Sequence, residues 1–416
     1  MGGTIIPLRN RDEGGVLLMV NSANDMGAAR VARLRRMMDE HDLDALICFK
    51  PENSFYLTGF NPIIYSHPVI AILPREGEPV MLCHALRDDH ARASTWVKEI
   101  RLYGTWSTKV TMGPNWLEAL GVILRERGLE AGRLGVEEDF LPVRRMAEVR
   151  SVAPTARFAD ASDILFEARL IKDAGEIAMA RIAADLADTG MAAAIDVLGQ
   201  GGSERHVSVA AMAAMNRHWL DAYPDVEVCD FGTLEGGAQN GLWAWCLTGE
   251  RVLINCDNPT LRRPAAGEIA MVMIWTNANG MHAENERSVA IGPLPDERKR
   301  AYEAILGIRE EVKPLLKTGV PVAEVFAKAR DGYEKRGYLR NLPGRIGHGI
   351  GLGAHEHLSL DGRSKTVLAA GMMLSFEPNL RLPEWGGLQH SDTVVITAGE
   401  PEFLTRSPNG YLQVDV

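Results

Sequence analysis

Residues 345–357 have the sequence R-I-G-H-G-I-G-L-G-A-H-E-H, and residues 371–380 have the sequence G-M-M-L-S-F-E-P-N-L. The first run holds His348 and His355 among four glycines, which leave the backbone free to approach a ligand closely. The second run predicts a strand that carries Glu377 at its end, where the following proline stops strand pairing. A charged side chain is costly to bury in an apolar run unless it is paired or used. Together these residues predict a functional site.

Length and composition indicate an ordinary folded protein with two domains. The chain has 416 residues, of which 46% are hydrophobic and 24% are charged, and this length exceeds one ordinary domain. The net charge of −10 argues against nucleic acid and anionic membranes as partners. No apolar run reaches the roughly 18–20 residues that a membrane-spanning helix needs.

The cysteines and the N-terminal sequence predict a cytoplasmic protein. The five cysteines have no C-x-x-C spacing, which is typical of reduced thiols and not of a disulfide framework or a zinc knuckle. The first ten residues, M-G-G-T-I-I-P-L-R-N, lack the basic region, apolar stretch and cleavage site of a signal peptide.

Hydrophobic patterning predicts an α/β domain over residues 1–165. An amphipathic helix at residues 26–41 precedes the buried strand D-A-L-I-C-F, and V-I-A-I-L-P and P-V-M-L-C-H predict a hairpin. A helix near residues 115–127 and the strand R-L-G-V-E continue the alternation, which is typical of a sheet covered by helices.

Residues 166–416 predict a different kind of domain. A long Ala-rich helix at about residues 173–198 and a second helix precede a series of strand-like runs: V-E-V-C-D, L-W-A-W-C-L, R-V-L-I-N, E-I-A-M-V-M-I-W and R-S-V-A-I-G. Two further helices lead to the opening stretch. This order predicts an α+β domain with a largely antiparallel sheet.

An ordered set of motifs in this second domain resembles the catalytic domain shared by creatinase, prolidase and methionine aminopeptidase, the pita-bread fold. The motifs are R-L-I-K-D-A-G-E-I at the boundary, D-N-P at 257–259, G-x-x-x-E-x-E-R-S at 280–288, G-H-G-I-G-L-x-x-H-E at 347–356, F-E-P at 376–378 and S-D-T at 391–393. Residues 26–165 resemble the smaller N-terminal domain of creatinase and prolidase. The resemblance implies an α/β N-terminal domain and an α+β pita-bread catalytic domain with a mainly antiparallel curved sheet.

The resemblance also implies a comparison with the metal site of the peptidase members, in which Asp, Asp, His, Glu and Glu hold two metal ions. The corresponding positions here are Met273, Glu284, His348, Glu377 and Ser391. A thioether and a hydroxyl replace two of the hard anionic oxygens that hold Mn²⁺, Co²⁺ or Fe²⁺. We therefore expect no metal and no other cofactor, and a single ion held at a different place stays open as the alternative.

Creatinase is the metal-free member, and several residues resemble its site. Trp243 and Trp245 precede Asp257 at a creatinase-like spacing, and Glu286 and Glu377 match the creatinase glutamates. Asp257 stands where creatinase has its catalytic histidine. The resemblance implies a metal-independent hydrolase that cleaves a non-peptide C–N bond of a small, cationic nitrogen compound.

These comparisons assign roles to individual residues. Asp257 is expected to carry the proton, and Glu286 and Glu377 to hold the substrate nitrogens. His348 is expected either to stabilise the oxyanion or to share the proton. Because several carboxylates in one cavity need a cation, the substrate is expected to supply it. The residues expected to bind substrate are Glu284, His355, Trp243, Trp245, Tyr65 and His67.

Simpler interpretations and other functions stay open. Asp257 could equally cap a turn before Asn258-Pro259, and Trp243 and Trp245 could equally belong to the core. The alternative functions are a metal-dependent Xaa-Pro-type aminopeptidase or prolidase, a lyase acting on a small onium acid, and a non-catalytic binding protein.

The N-terminal domain also carries a partner prediction. The run P-E-N-S-F-Y-L-T-G-F-N-P-I-I-Y-S-H-P is rich in aromatic residues, a composition suited to an interface. In creatinase-like proteins this domain completes the pocket of the partner subunit. We therefore expect a homodimer that acts on a small molecule.

Overall fold

A computed structural model describes residues 13–232, 240–254 and 257–415, with side chains from residue 26 onward. The chain forms two compact units. The first unit ends at Ala168 and the second begins at Arg169, close to the boundary predicted at residue 165. Each unit is organised around a sheet of its own.

The first unit combines a mixed sheet with helices. Its helices are α1 (Glu13–Glu40), α2 (Pro51–Thr58), α3 (Asp88–Ser94), α4 (Trp116–Glu126), α5 (Val143–Val152) and α6 (Ser162–Leu170). Its strands are β1 (Ala45–Cys48), β2 (Ile70–Pro74), β3 (Val80–His84), β4 (Glu99–Tyr103), β5 (Arg133–Val136) and β6 (Arg157–Asp160). Within the described residues they lie in the order β4-β3-β2-β1-β5-β6. Strand β2 pairs antiparallel with β1 and β3, as the predicted hairpin requires, and the other neighbours are parallel. The predicted α/β class is confirmed.

A buried carboxylate fixes the start of α2. Glu137 follows β5 and is fully buried. Its Oε2 accepts hydrogen bonds from the backbone N–H groups of Phe49 at 2.5 Å and Lys50 at 3.1 Å, and its Oε1 accepts one from Asn53 Nδ2 at 2.8 Å. A carboxylate at this end of a helix satisfies donors that have no partner inside the helix. Burial raises the pKa of Glu137 to about 7, against the opposing effect of these donors.

The second unit is an α+β arrangement. Its helices are α7 (Ala174–Gly199), α8 (Glu204–Ala222), α9 (Asp296–Val312) and α10 (Val322–Lys335). Its strands are β7 (Trp243–Thr248), β8 (Ile269–Ala278), β9 (Met281–Ile291), β10 (Gly347–Gly349), β11 (Glu356–Ser359), β12 (Met373–Phe376), β13 (Asn379–Leu382), β14 (Gly386–Gln389), β15 (Ser391–Val395), β16 (Glu402–Phe403) and β17 (Gln413–Val414).

The main sheet of the second unit is curved and mainly antiparallel. Its described strands follow the order β11-β10-β12-β15-β9-β8-β7, each antiparallel to its neighbour. Strand β17 adds a parallel pairing to β9, and β13 pairs with β14 in a separate hairpin. The predicted pita-bread architecture of the catalytic domain is confirmed.

Close packing of α7 and α8 covers one face of this sheet. Leu186 of α7 and Met215 of α8 share a buried cluster with Ile274 of β8. A Cβ atom added at Gly190 would lie only 2.8 Å from Met215 and 3.1 Å from Ile274. Glycine at this position therefore lets the helices approach the sheet.

The motif at the start of β15 is held by a buried ion cluster. Asp392 is fully buried, and its Oδ1 accepts hydrogen bonds from Arg287 Nη2 at 2.6 Å and Thr405 Oγ1 at 2.7 Å. Arg309, also buried, donates to Asp392 Oδ2. Two guanidinium groups around one carboxylate hold the start of β15 in place, next to Ser391.

Two predicted strands are wrong. Residues 226–230 (V-E-V-C-D) form no strand, and Gly249–Ile254 form a 3₁₀ helix where R-V-L-I-N predicted a strand; residue 255 lies outside the described residues. Gly249 has a φ of 56°, which turns the chain sharply after β7. The turn lets Arg251 donate to the buried carboxylate of Glu204 at 3.1 Å, and this tertiary ion pair is invisible to local patterning.

Candidate functional site

Alternation along β8 separates the core from a cavity. Val272 and Ile274 pack in the cluster beneath α7 and α8, whereas Met273 and Trp275 line a cavity. Successive residues of a strand point to opposite faces, so the cavity lies on the face of the sheet that the helices leave open.

The neighbouring strands bring acidic and hydroxyl side chains to the same place. In the β8–β9 register, Met273 lies opposite Glu286 and Trp275 lies opposite Glu284. In the β9–β15 register, Ser391 also lies opposite Glu286. The antiparallel pairing thus gathers residues that are far apart in sequence.

His348 enters the same region from β10, where it lies opposite Ser375 of β12. A Cβ atom at the preceding Gly347 would lie 2.2 Å from the carbonyl oxygen of Ser375, so glycine is needed for the two strands to pair. The Nδ1 atom of His348 lies 2.9 Å from the carbonyl oxygen of Gly349 and can donate a proton there. The Nε2 atom faces the acidic residues, and when the ring is protonated it forms an ion pair with Glu284 Oε2 at 3.3 Å.

Three carboxylates converge in front of this imidazole. One oxygen from each of Glu284, Glu286 and Glu377 lies within 4.8 Å of the others. His348 Nε2 lies 3.3 Å from Glu284 Oε2 and 3.8 Å from Glu377 Oε1. Glu284, Glu286 and His348 are almost completely buried, so water screens their charges poorly.

Because these groups lie close together, their pKa values shift in different directions. Burial and the charges of Glu284 and Glu377 raise the pKa of Glu286 well above its ordinary value. Burial and Glu284 likewise raise the pKa of Glu377 to about 7. Although burial opposes ionisation, the hydrogen bond and charge of His348 lower the pKa of Glu284 to about 2. Burial opposes charge on His348 as well, but Glu284 raises the pKa of the imidazole.

One carboxylate oxygen of Glu284 accepts hydrogen bonds from two serine hydroxyl groups. Ser375 Oγ donates to Glu284 Oε1 at 2.5 Å, and Ser391 Oγ donates to the same oxygen. The two serine oxygens are 2.7 Å apart. Only the other carboxylate oxygen, Oε2, faces His348.

An amide links the other two carboxylates. Gln389 Nε2 donates to Glu286 Oε2 at 2.6 Å and lies 3.5 Å from Glu377 Oε2. Arg381 Nη2 donates to Gln389 Oε1 at 2.6 Å, which fixes the orientation of the amide. Arg345 Nε lies 3.7 Å from Glu377 Oε1. Of the contacts that Gln389 and Arg345 make with Glu286 and Glu377, the one with a charged partner is that of Arg345, at the outer edge of the cluster.

The cluster forms the acidic part of a cavity of about 490 Å³. Aromatic rings form a wall: Trp275 lies edge to face against Trp245 and against His355, with ring centroids 5.3 Å and 5.2 Å apart. The His355 ring lies 4.2 Å from that of His348. The full lining comprises Trp245, Met273, Trp275, Glu286, Pro343, Gly344, Arg345, His355, Ser359, Asp361, Arg363, Glu377, Asn379, Arg381 and Gln389.

The structure brings most of the predicted catalytic-domain residues together. Four of them line the cavity: Glu286, Glu377, His355 and Trp245. His348 contacts Glu377 and also Glu284, and these two contacts connect both residues to the cavity. Trp243 is 46% exposed, and its ring contacts that of Trp245 at 5.5 Å between centroids.

Asp257 is placed elsewhere. Among the described residues, the lining of the cavity does not include it. Its Oδ2 accepts a hydrogen bond from Arg251 Nη2 at 3.1 Å, and its Oδ1 accepts one from the backbone N–H of Asn258 at 2.7 Å. Arg251, which also donates to buried Glu204, holds this carboxylate in a turn. The assignment of Asp257 as the proton shuttle stays a prediction.

The two predicted substrate-binding residues of the N-terminal domain lie in the first unit. Tyr65 is buried there, and the ring of His67 lies against that of His84 with 4.0 Å between centroids. Their assignment to substrate binding stays a prediction.

Several residues of the site were missed by the sequence analysis. Trp275 and Ser375 lie two residues from Met273 and Glu377, respectively, so strand alternation could have placed them on the same face. Arg381 and Gln389 carried no comparable signal, because only the tertiary fold brings the hairpin β13–β14 to the cavity. Arg345 stands two residues before Gly347, at the start of the glycine-rich run.

The donor atoms do not fit the two-metal site that the resemblance implies. Met273 offers a soft thioether, and Ser391 offers a neutral hydroxyl whose proton is donated to Glu284. Hard divalent ions prefer anionic oxygen ligands. Glu284 itself has one oxygen occupied by hydroxyl donors, whereas a carboxylate that bridges two ions uses both.

Comparisons with known proteins agree with this fold. Residues 178–398 match the metallopeptidase family M24, and residues 30–171 match the creatinase/prolidase N-terminal domain. The putative dipeptidase YkvY of Bacillus subtilis (strain 168) is 27% identical over 383 residues, which are 92% of this chain and 99% of that protein. The Xaa-Pro dipeptidase of Pyrococcus furiosus is 26% identical over 151 residues, 36% of this chain and 43% of that protein.

Solved structures share the same architecture. The prolidase from Pyrococcus horikoshii OT3 superimposes with a TM-score of 0.76 at 22% identity, covering 92% of this chain and 99% of that chain. The Xaa-Pro dipeptidase from Bacillus anthracis gives a TM-score of 0.77 at 22% identity, covering 93% of this chain and 100% of that one.

These findings correct the predicted function. The relatives carry the names of dipeptidases and Xaa-Pro dipeptidases, and the matching family is one of metallopeptidases. The prediction of a metal-independent, creatinase-like hydrolase of a non-peptide C–N bond is therefore wrong. The alternative of a peptidase of the Xaa-Pro type agrees better with the comparisons. Among the described residues, we find no helix with the length and apolar character that spanning a membrane requires.

Proposed function

Because the chain belongs to metallopeptidase family M24, we propose that it hydrolyses the peptide bond of dipeptides or similarly short peptides in the cavity of its second unit. One observation carries the proposal: the cavity presents Glu286 and Glu377 together with Arg345 and Arg363. A short peptide has a cationic amino end and an anionic carboxyl end. Charge-assisted hydrogen bonds from both ends would orient it between the two sets of residues.

The acidic residues have the chemistry that hydrolysis requires. Peptide cleavage needs one group to take a proton from the attacking water and to give a proton to the leaving amine. Glu377 lines the cavity and also lies 3.8 Å from His348 Nε2. We assign the proton transfer to Glu377. Glu286, on β9, would hold the amino end of the substrate.

The aromatic wall would hold the middle of the peptide. Trp245, Trp275 and Met273 give the cavity an apolar surface next to the carboxylates. Flat or cyclic side chains pack well against indole rings, so Xaa-Pro dipeptides belong in the first substrate panel.

The test uses the purified full chain with a panel of free dipeptides, including Xaa-Pro sequences, in the presence of Mn²⁺, Co²⁺ or Zn²⁺. Release of the C-terminal amino acid is followed by liquid chromatography. Each substrate is paired with its N-acetylated and its C-amidated form. We expect cleavage of the free dipeptides and much weaker cleavage when either end is blocked.

Two variants accompany this experiment. Glu377→Gln should lower kcat/KM by on the order of 10²-fold or more, the size expected when a preorganised polar group is lost at the reacting centre. Glu402→Gln, which changes a surface carboxylate paired with Arg181, is the matched control and should retain activity. Tight binding of dipeptides without cleavage under any metal would instead identify a peptide-binding protein.

The homodimer also stays a prediction. Sedimentation velocity across a range of protein concentrations measures it directly, and a monomer with full activity would contradict it.

A further inference from the structure

Three aromatic side chains meet in the cavity of the second unit. We propose that Trp245, Trp275 and His355 form an aromatic cage for an N-methylated ammonium group, and that the short peptides this protein selects carry a tertiary or quaternary amine at the amino end. This inference rests on the proposed function, which places the amino end of the substrate beside Glu286.

The sheet register places the two indoles of the cage on one face. Trp245 of β7 lies opposite Met273 of β8, and Trp275 follows two residues further along β8. Alternate residues of a strand share a face, and both indoles line the cavity together with His355. Trp245 also packs against the small buried cluster that contains Met273, which holds its ring in place.

Successive rings of the cage are nearly perpendicular. The planes of Trp245 and Trp275 cross at 85°, and those of Trp275 and His355 cross at 84°, with centroids 5.3 Å and 5.2 Å apart. Perpendicular rings form a corner in which one cation can contact more than one of them. Methylated ammonium groups suit such a corner, because their methyl groups pack against the rings while the ring faces attract the positive charge.

Another tryptophan of this protein already contacts a cation. The guanidinium of Arg298 lies over the Trp385 ring, 5.4 Å from its centroid. Within the described part of the chain, no arginine or lysine lies over Trp245 or Trp275 in this way. The protein thus leaves these two indoles to a cation from the substrate.

The acceptors in the same cavity suit an amine with few N–H groups. A primary ammonium has three N–H donors, and the indole rings offer them no oxygen acceptor. Glu286 Oε2 already accepts a hydrogen bond from Gln389 Nε2 at 2.6 Å, and Arg345 Nε lies 3.7 Å from Glu377 Oε1. A dimethylated amine presents one N–H to a carboxylate oxygen and two methyl groups to the rings, and a trimethylated amine has no N–H to satisfy.

The first test compares dipeptides that differ only at the amino nitrogen. Glycyl-proline, N,N-dimethylglycyl-proline and betainyl-proline are titrated into the full chain by isothermal titration calorimetry, with a chelator present so that metal-dependent cleavage does not add heat. We expect both methylated ligands to have dissociation constants about tenfold or more below that of glycyl-proline, the size of a desolvated cation–π contact. Glycyl-proline that binds as tightly as both would overturn the proposal, as would the absence of binding by either methylated ligand.

A neutral ligand of the same shape separates charge from apolar contact. In 3,3-dimethylbutanoyl-proline a carbon atom replaces the quaternary nitrogen of betainyl-proline. We expect this ligand to bind about tenfold more weakly or worse, because the ring faces attract the charge. Equal binding of the two ligands would indicate a merely apolar pocket and would contradict the cage.

Variants test whether the rings carry the preference. Trp275→Leu should reduce the ratio of the glycyl to the betainyl dissociation constant to about twofold or less, whereas Trp275→Phe should retain a larger ratio. Trp106→Leu, which changes a tryptophan that is 49% exposed, is the control and should keep the wild-type ratio. Circular dichroism checks each fold, and Trp245→Leu takes the place of Trp275→Leu should that variant fail to fold. A folded leucine variant with the wild-type ratio would contradict the assignment.

This inference and the proposed function can fail separately. Selective binding of the methylated ligands without cleavage of any dipeptide in the presence of metal would reject the proposed activity and keep the cage. Cleavage of ordinary dipeptides with no preference for the methylated ligands would reject the cage and keep the proposed activity.

Discussion

Lys172 Nζ donates to Glu356 Oε2 across 2.7 Å, with side-chain exposures of 2% and 6%. Arg169 Nη2 donates to the other carboxylate oxygen at 2.5 Å. Glu356 also accepts a hydrogen bond from the backbone N–H of Gly353 at 3.2 Å, so two cations and the glycine-rich loop meet at one carboxylate. Its neighbour His355 lines the cavity. This ion cluster therefore holds the loop that carries part of the aromatic wall.

The first prediction concerns this cluster. Glu356→Gln leaves two buried cations without a carboxylate, and breaking a buried pair in this way typically destabilises by about 3–5 kcal/mol. The surface pair of Arg181 and Glu402, with side chains 50% and 35% exposed, provides the control: Glu402→Gln should cost less than ~1 kcal/mol. Urea denaturation of both variants measures the difference, and equal losses would contradict the role of burial.

The second prediction concerns pH. Burial raises the pKa of Glu137 to about 7 from an ordinary value of 4.5, so the folded state binds the proton more tightly than the unfolded state. The stability from that proton is fully present below pH ~4.5 and is lost as the pH rises through about 7. The slope contributed by this group reaches at most ~1.4 kcal/mol per pH unit.

Glu137→Gln should remove this component, whereas Glu138→Gln, which changes an exposed neighbour, should retain it. Denaturation midpoints between pH 4.5 and pH 8 measure both variants against the wild type. A wild type and a Glu137→Gln variant with parallel pH profiles would show that the carboxyl is ionised throughout this range.

The third prediction separates Asp257 from the cluster. Since Asp257 pairs with Arg251 in a turn, Asp257→Asn should change kcat on a cleaved dipeptide by less than about twofold. Glu377→Gln should lower kcat/KM by on the order of 10²-fold on the same substrate. Steady-state kinetics decides between them, and a large loss of kcat in Asp257→Asn would return the proton transfer to that residue.

The fourth prediction concerns the carboxyl end of the substrate. Arg363 lines the cavity, and Arg363→Met should raise KM for free dipeptides by about tenfold, the equivalent of ~1.4 kcal/mol. It should leave weak turnover of C-amidated dipeptides unchanged, because the amide offers no negative charge. Arg330→Met, which changes a surface arginine of α10, is the control. Equal effects of Arg363→Met on acid and amide substrates would indicate a structural role.

Much of the fold follows from local patterns, since β2, β3, α4, α7 and β8 were all predicted from periodicity. The part of the site that lies in sequence motifs could also be predicted. His348 and Glu377 are close because β10 pairs with β12, and Gly347 has no side chain to block this pairing. Replacement of metal ligands by Met273 and Ser391 was visible in the sequence.

Other features depended on tertiary structure. The turn at Gly249 and the contacts of Arg251 with buried Glu204 and with Asp257 had no signal in the local sequence pattern. The function was wrong for a different reason. The substitutions at two ligand positions favoured the metal-free interpretation, whereas the family match over residues 178–398 favours a peptidase.

The tryptophan series Trp243, Trp245 and Trp275 ends at His355 in the cavity, with edge-to-face contacts between successive rings. Indole emission responds to the polarity and charge around the ring, and neighbouring indoles exchange excitation energy. A ligand or ion that enters beside Trp275 will therefore alter the fluorescence of the whole series, including the half-exposed Trp243. Intrinsic tryptophan fluorescence can therefore be used to measure ligand binding in the cavity without a label.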